Sequence, residues 1–237
     1  MAKLDFYNKE IANIQDQLIK KLDKIVIGLT TLNDTELVQL ARQIDFFDEM
    51  NRLGYASLIE RTRSVYAEEI ALIFSQLSQR QLSQVAIASI EAVNDLIAFE
   101  LTYLTNNTRS YADQLKNAMI RGVITGESNA QIIQNLSNGF GVGKFISSSE
   151  SSFLINDAFA TFSNATRAKA FEDFPEQKFR YIGVNDDKTR PACKKVLALV
   201  KERGPLTRKQ IANLKVKDFE GFSRRGGYNC RHDWVAV

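Results

Sequence analysis

Proline, cysteine and histidine are scarce in this chain of 237 residues. The three prolines are Pro175, Pro191 and Pro205, so nothing in the first 174 residues forbids helix continuation. Two cysteines are too few for a disulfide framework, although a single bridge stays open. Because the sequence has one histidine, any nuclease that works with several histidines is excluded.

Long apolar runs are also absent. No stretch approaches the roughly 18 apolar residues that a membrane span needs. The start MAKLDFYNKE lacks the charged-then-apolar layout of a signal peptide, so we expect a cytoplasmic origin. The composition, 44% hydrophobic and 25% charged, is that of a globular protein with one large domain or two smaller ones.

Charge is distributed unevenly along the chain. Residues 1–110 carry 11 Lys and Arg against 15 Asp and Glu, a net charge of −4, and residues 111–237 carry 20 against 13, a net charge of +7. A basic second half suits nucleic acid or an acidic protein surface, and a solvated basic face without a partner is the alternative.

Helical periodicity dominates residues 1–110, where we predict four or five antiparallel or elongated helices. We expect breaks at Asn33–Asp34, at Gly54 and at Asn106–Thr108, because glycine and short polar residues favour turns. The apolar positions that share a helix face are Ile11, Ile14, Leu18, Leu22, Ile25 and Leu29, and then Leu82, Val85, Ile90, Val93, Ile97, Leu101 and Leu104.

Residues 111–176 predict a further helical region. The stretch LKNAMIRGVITGESNAQIIQNL indicates two helices around a turn at 126–128, with Ser128 or Asn129 as the cap. A polar connector, SNGFGVGKFISSSESS, precedes a helix that reaches about Phe171. The connector is not a phosphate-binding loop, because GFGVGK has three residues between its outer glycines and Phe145 stands where a hydroxyl is required.

Residues 177–237 predict a small α+β module. QKFRYIGV alternates like a strand, Pro191 suits the first turn of a helix, and Thr207 with Gln210 forms a capping box. We expect one or two more strands from Val216–Phe222 and HDWVAV. The predicted fold is mainly α: elongated or bundled helices in an N-terminal body (1–110) and a helical region (111–176), followed by the α+β module (177–237).

The stretch GGYNCRHDW places Cys230 two residues before His232, the only histidine, and Cys193 is the only other thiol. Zinc is one interpretation, although a structural zinc site normally has four ligands. The alternatives are a contact or bridge between the two thiols, plain packing, and a nucleophilic pair in which His232 takes the proton of a cysteine.

Basic and aromatic residues are interleaved in the module, as phosphate contacts and base stacking require and as surface cations over an aromatic core also produce. The aromatic residues are Phe179, Tyr181, Phe222, Tyr228 and Trp234. The basic residues are Arg190, Lys194, Lys195, Lys201, Arg203, Arg208, Lys209, Lys215, Lys217, Arg224, Arg225 and Arg231.

Together, YIGVNDDKTRPAC (181–193) and GGYNCRHDW (226–234) resemble the two ends of the C-terminal domain of the phage Mu protein F-like minor head proteins, the phage head morphogenesis family. The resemblance covers residues 111–237 and includes Thr161, Asn164 and Arg167 in the helix before the module. Many members place cysteine at the positions of Arg190 and His232 and histidine at that of Gly227, and these departures weaken a zinc prediction. The motif residues are Asp187, Thr189, Arg190, Asn229, Arg231 and Trp234.

The motif can also be explained without a metal. Asp187 is expected to pair with Arg231, Asn229 to bond the turn after the first strand, and the thiols to fill space under Trp234. The motif then joins the strand near residue 180 to the C-terminal segment.

The resemblance implies a structural minor head protein of a tailed bacteriophage, located in the virion, with no reaction and no cofactor. Its implied partners are portal or capsid proteins, with genomic DNA as a further partner of the basic region. A Cys-His hydrolase or toxin-like effector is the enzyme alternative. A helical adaptor with a basic nucleic-acid-binding tail is the third reading.

Overall fold

A computed structural model describes residues 4–28, 34–85, 87–140, 148–227 and 230–237. Within these ranges the chain is mainly helical and carries a three-stranded antiparallel sheet near its C-terminal end. The predicted fold class, mainly α with a small α+β module, is confirmed.

The described elements follow one another as helices until residue 170 and then as a mixture of short strands and helices. They are α1 (Asp5–Gly28), α2 (Asp34–Gln43), α3 (Phe46–Arg52), α4 (Tyr55–Phe74), α5 (Gln79–Leu82), α6 (Ile87–Ile124), α7 (Asn129–Phe140), α8 (Ser148–Ala170), β1 (Lys178–Gly183), α9 (Pro191–Arg203), β2 (Leu206–Thr207), α10 (Arg208–Ala212), α11 (Gly221–Arg224) and β3 (His232–Ala236).

Local capping chemistry accounts for several helix starts. Asp45 accepts a hydrogen bond from the backbone of Asp48 at the start of α3, and Ser128 accepts one from Gln131 at the start of α7. The predicted capping box of Thr207 with Gln210 is confirmed at α10. Pro191 occupies the first turn of α9, as predicted, where its missing N–H costs no hydrogen bond.

One predicted helix break is confirmed and another is wrong. Gly54 does separate α3 from α4, with φ at +114°. The break at Asn106–Thr108 is wrong, because α6 continues through it and the Thr108 hydroxyl donates to the Leu104 carbonyl of the same helix. Of the one or two further strands expected, HDWVAV forms β3, whereas the described residues 216–222 form no strand and α11 begins at Gly221.

The predicted connector at 137–152 is partly helical. Its first residues belong to α7, its last belong to α8, and residues 141–147 lie outside the described ranges. Of the predicted apolar faces, Ile11, Ile14, Leu18 and Leu22 are buried, while Leu82 and Ile90 are exposed.

The chain divides into two compact units. One contains residues 2–64 and 100–152, and there α1 packs against α3 and α7. Its core includes Leu18, Met50 and Leu115. The boundaries predicted at 110 and 176 stay predictions.

The second unit contains residues 65–99 and 153–237. Its sheet has the order β2-β1-β3, with both pairs antiparallel, and Tyr181 lies opposite Trp234. The sheet, α9 and Phe171 after α8 enclose an apolar core around Trp234, which has no exposed surface. None of the described helices combines the length and the apolar character of a membrane span.

Candidate functional site

The two motif segments meet in the structure. Arg231 and Asp186 form a bidentate ion pair, with Nη1 of Arg231 at 2.8 Å from Oδ2 of Asp186. This corrects the prediction by one residue, because Asp187 was the expected partner. Asn229 lies outside the described residues, so its predicted bond to the turn stays a prediction.

Thr189 organises the turn that follows β1. Its hydroxyl donates to the Val184 carbonyl at 2.8 Å and accepts from the Asp186 N–H at 2.9 Å. The turn is thereby closed by a side chain that is 5% exposed, and Asp186 is held where Arg231 reaches it. The hydrogen bond from Arg231 is the main cause that lowers the pKa of Asp186 below its ordinary range.

Arg190 makes a second link between the segments. It is the residue before α9, and its Nη1 donates to the backbone carbonyl of Gly226. The start of α9 is therefore tied to the segment that leads into Cys230. The ion pair of Asp186 with Arg231 links the same two segments. Asp186 comes before Thr189 in the chain, and Arg190 comes directly after it.

Cys193, Cys230 and His232 come together in the core of the module. The two sulfur atoms lie 3.7 Å apart, and Nδ1 of His232 lies 3.9 Å from Sγ of Cys230. The Tyr181 hydroxyl lies 3.5 Å from the Cys193 sulfur and 3.6 Å from the Cys230 sulfur. None of the three ligand-type residues is more than 3% exposed. We name these four side chains the thiol–imidazole cluster.

The two thiols lie within hydrogen-bonding distance, and either can be the donor. This contact lowers the pKa of Cys230 and raises the pKa of Cys193. Burial raises the pKa of the Tyr181 hydroxyl, which stays protonated at neutral pH.

Two glycines make room for the cluster. A Cβ at Gly226 would lie 2.4 Å from the sulfur of Cys193, and a Cβ at Gly183 would lie 2.4 Å from Cδ2 of His232. The His232 ring stacks on the Tyr181 ring with centroids 5.3 Å apart and planes at 14°. Glycine is therefore required at both positions for this arrangement.

The sequence did not predict a polar cluster that lies beside the module core. Arg167 on α8 donates to Asp233 on β3 at 2.9 Å, and Arg225 lies 3.8 Å from the same carboxylate. Both arginines are nearly fully buried, and Arg225 also donates to the His232 carbonyl. Burial raises the pKa of Asp233, and the two guanidinium groups oppose that rise.

Further polar contacts surround this ion pair. Asn164 lies one turn before Arg167 on α8, and its Oδ1 is 3.4 Å from Nη1 of Arg167. Ser163 donates to Glu69 on α4 at 2.7 Å. The resemblance had pointed to Asn164 and Arg167, but Glu69, Arg225 and Asp233 carried no sequence signal beyond their charge.

The basic residues of the module divide into buried and exposed groups. Arg225 is buried in its ion pairs and Arg231 is paired with Asp186.

Phe179, Tyr181 and Trp234 form the core, so the predicted base stacking by these three rings is wrong. Tyr228 lies outside the described residues.

A polar cleft of about 470 Å³ opens beside β2 and α10. Three cations line it, Lys178, Arg203 and Lys209, together with the amides of Gln210 and Asn213. All three cations are exposed, and none of the described residues that line the cleft is acidic. We name this feature the basic cleft.

Comparison with known proteins gives one family. No curated protein and no solved structure matched the chain. A family model described as "Phage Mu protein F like protein" matches residues 113–231, which include Thr189, Arg190, Cys193 and Cys230. The match covers half of the 237 residues and confirms the resemblance seen in the sequence. The chain belongs to the family of phage Mu protein F like proteins.

Proposed function

We propose that the protein is a structural minor head protein of a tailed bacteriophage, which docks on the portal or the inner capsid and presents its basic module to DNA. The observation that carries the proposal is the family match over residues 113–231. The family is one of phage head morphogenesis proteins, and this supports a place in the phage head beside other head components.

A structural role without catalysis is part of the proposal. The groups with nucleophile or base chemistry, Cys193, Cys230 and His232, are at most 3% exposed. Turnover of a substrate that disappears in His232→Ala at unchanged stability would contradict this part.

The docking half of the proposal rests on exposed apolar side chains. Phe99 on α6 is 68% exposed, and Tyr103, one turn further along the same helix, is 45% exposed. Leu72 on α4 and Ile124 at the end of α6 are also more than half exposed. Large apolar groups in water favour a protein contact that removes them from solvent.

Co-expression tests the docking half. The tagged protein is expressed with the portal protein and, separately, with the major capsid protein of the same phage, and the material that copurifies is identified. We expect a stable complex with one of the two, weakened at least tenfold by Phe99→Glu. Asn94→Glu, an exposed polar position on a different face of the same helix, is the matched control. Failure to copurify with either partner contradicts docking.

The DNA half of the proposal rests on the basic cleft. Its three cations line one concave surface, which suits contacts to phosphate oxygens. We expect duplex DNA of random sequence to bind at low salt, and the triple variant Lys178→Gln, Arg203→Gln, Lys209→Gln to bind at least tenfold more weakly.

The control for this experiment removes the same charge elsewhere. Lys9, Lys24 and Arg42 are exposed cations of the other unit, and their triple replacement by Gln changes the net charge equally. We expect this variant to bind DNA nearly as well as the parent protein. An equal loss of DNA affinity in both variants, or no DNA binding by the parent protein at low salt, would contradict DNA binding by the basic cleft.

A further inference from the structure

The thiol–imidazole cluster has the composition of a soft-metal site. Two sulfurs and an imidazole lie within 4.8 Å of one another, and all three residues are buried. Nδ1 of His232 faces the Cys230 sulfur at 3.9 Å, so it is the ring nitrogen that a metal at this cluster would use. Nε2 has no hydrogen-bond partner among the described residues and takes no part in this arrangement.

Three of the distances match the edges of a tetrahedral zinc site. With zinc–sulfur bonds of about 2.3 Å and zinc–oxygen bonds of about 2.0 Å, the edges of the tetrahedron measure about 3.5 to 3.8 Å. The separation of the two sulfurs is 3.7 Å, and the Tyr181 hydroxyl lies 3.5 and 3.6 Å from them. The fourth corner needs the imidazole, and Nδ1 of His232 is 3.9 Å from the Cys230 sulfur.

We propose that the module binds one zinc ion through Cys193, Cys230 and His232, with the Tyr181 hydroxyl at the fourth corner. The ligands come from β1, from the first turn of α9, from the residue Cys230 just before β3 and from β3 itself. The ion therefore joins the same elements that the Asp186–Arg231 pair joins, and its role is structural.

The charges around the cluster are compatible with a divalent cation. Two thiolates balance the charge of zinc, so the centre as a whole is neutral and the nearby Arg190 guanidinium meets no net positive charge. Arg190 also uses Nη1 for the Gly226 carbonyl, which keeps the group beside the cluster and not within it.

The ligand set favours zinc over harder cations. Thiolate and imidazole select zinc or copper(I), whereas magnesium and calcium prefer oxygen ligands. A neutral, closed and buried centre is typical of structural zinc sites. The inference is independent of the proposed docking and DNA contacts, because none of the four side chains lies in the basic cleft.

Cobalt substitution tests the proposal directly. The full chain is reduced with a phosphine, freed of metal and titrated with cobalt(II), which reports thiolate ligation through a charge-transfer band in the near ultraviolet. We expect a band that saturates at about one cobalt per chain and disappears when zinc is added. Protein purified without added metal should contain about one zinc per chain.

Variants then assign the ligands. Cys193→Ser or Cys230→Ser alone should reduce the band by about half, and the double variant is the blank because the chain has no other cysteine. His232→Gln and Tyr181→Phe should keep both thiolates and weaken cobalt binding about tenfold or more. A reduced parent protein without the band, or a band that survives in the double variant, overturns the proposal.

Discussion

Arg231 shows at the scale of a single residue how the motif holds the module together. Its guanidinium reaches both carboxylate oxygens of Asp186, and Thr189 fixes the turn from which that carboxylate projects. The sequence predicted an acidic partner for Arg231 but chose Asp187. Neighbouring residues of a turn point in different directions, and only the Thr189 hydrogen bonds determine which one faces the arginine.

The Asp186–Arg231 pair predicts a pH-dependent stability difference. Because Arg231 lowers the pKa of Asp186, the pair stabilises the fold fully above the ordinary aspartate pKa of about 4 and loses this effect progressively as the pH falls from there through the lowered pKa of Asp186. Asp186→Asn should therefore lower Tm at pH 7 and lower it by a smaller amount at pH 3. Thermal unfolding at both pH values measures this.

Asp187→Asn is the matched control for this pair. Asp187 is exposed and is not the partner of Arg231, so its replacement should leave Tm nearly unchanged at both pH values. Equal effects of the two replacements at pH 7 would show that Asp186 has no special part in the turn.

Replacement of the buried Arg167 should lower the free energy of unfolding. Its replacement by Met leaves Asp233 with the more distant Arg225 as its cation, and because the Asp233 side chain is 36% exposed the loss should stay below the ~3–5 kcal/mol of a fully buried pair. Urea unfolding gives the free energy of unfolding. Lys169→Met on the same helix is the control, because its ion pair with Glu172 is exposed and its loss should change little.

At the scale of elements, hydrophobic periodicity and capping motifs predicted which helices and strands form better than they predicted where a helix ends. The strand at 178–183, the helix that begins at Pro191 and the capping box at Thr207 were all read correctly. The break at Asn106–Thr108 was not, because tertiary burial of Leu101, Leu104, Tyr111 and Leu115 keeps α6 continuous. A short polar run cannot reveal which apolar residues on either side pack against the same core.

The capping box of α10 predicts a measurable loss when its hydroxyl is removed. Thr207 accepts from the Gln210 backbone and Gln210 accepts from the Thr207 backbone, so Thr207→Ala should lower the free energy of unfolding by about 1 kcal/mol. Thr161→Ala on α8 removes an exposed threonine without a capping role and should be neutral. An equal loss in both variants contradicts the capping argument.

At the scale of the whole molecule, family and charge were readable from sequence, while the units were not. The family match at 113–231 agrees with the region identified from the motif segments. The two units, however, interleave early and late segments, since 65–99 folds with 153–237 and 2–64 with 100–152. Contacts between distant segments leave no local pattern in the sequence, so the segments that each unit brings together are known only from the structure.

The separation of charge between the halves of the chain predicts how DNA binding responds to salt. Residues 111–237 carry a net charge of +7, and the basic cleft contains Lys178, Arg203 and Lys209. For duplex DNA, the logarithm of the binding constant falls with the logarithm of salt concentration by about 0.9 per phosphate contact. Removing the three cleft cations should therefore make that slope shallower by about 2.7, if each contacts one phosphate.

Mobility-shift titrations over a series of salt concentrations measure this slope for three proteins. The parent and the variant lacking Lys9, Lys24 and Arg42 should share one slope, because counterion release depends on phosphates contacted and not on total charge. The cleft variant should differ from both. A common slope for all three proteins would mean that the cleft does not contact the phosphates, even where binding itself persists.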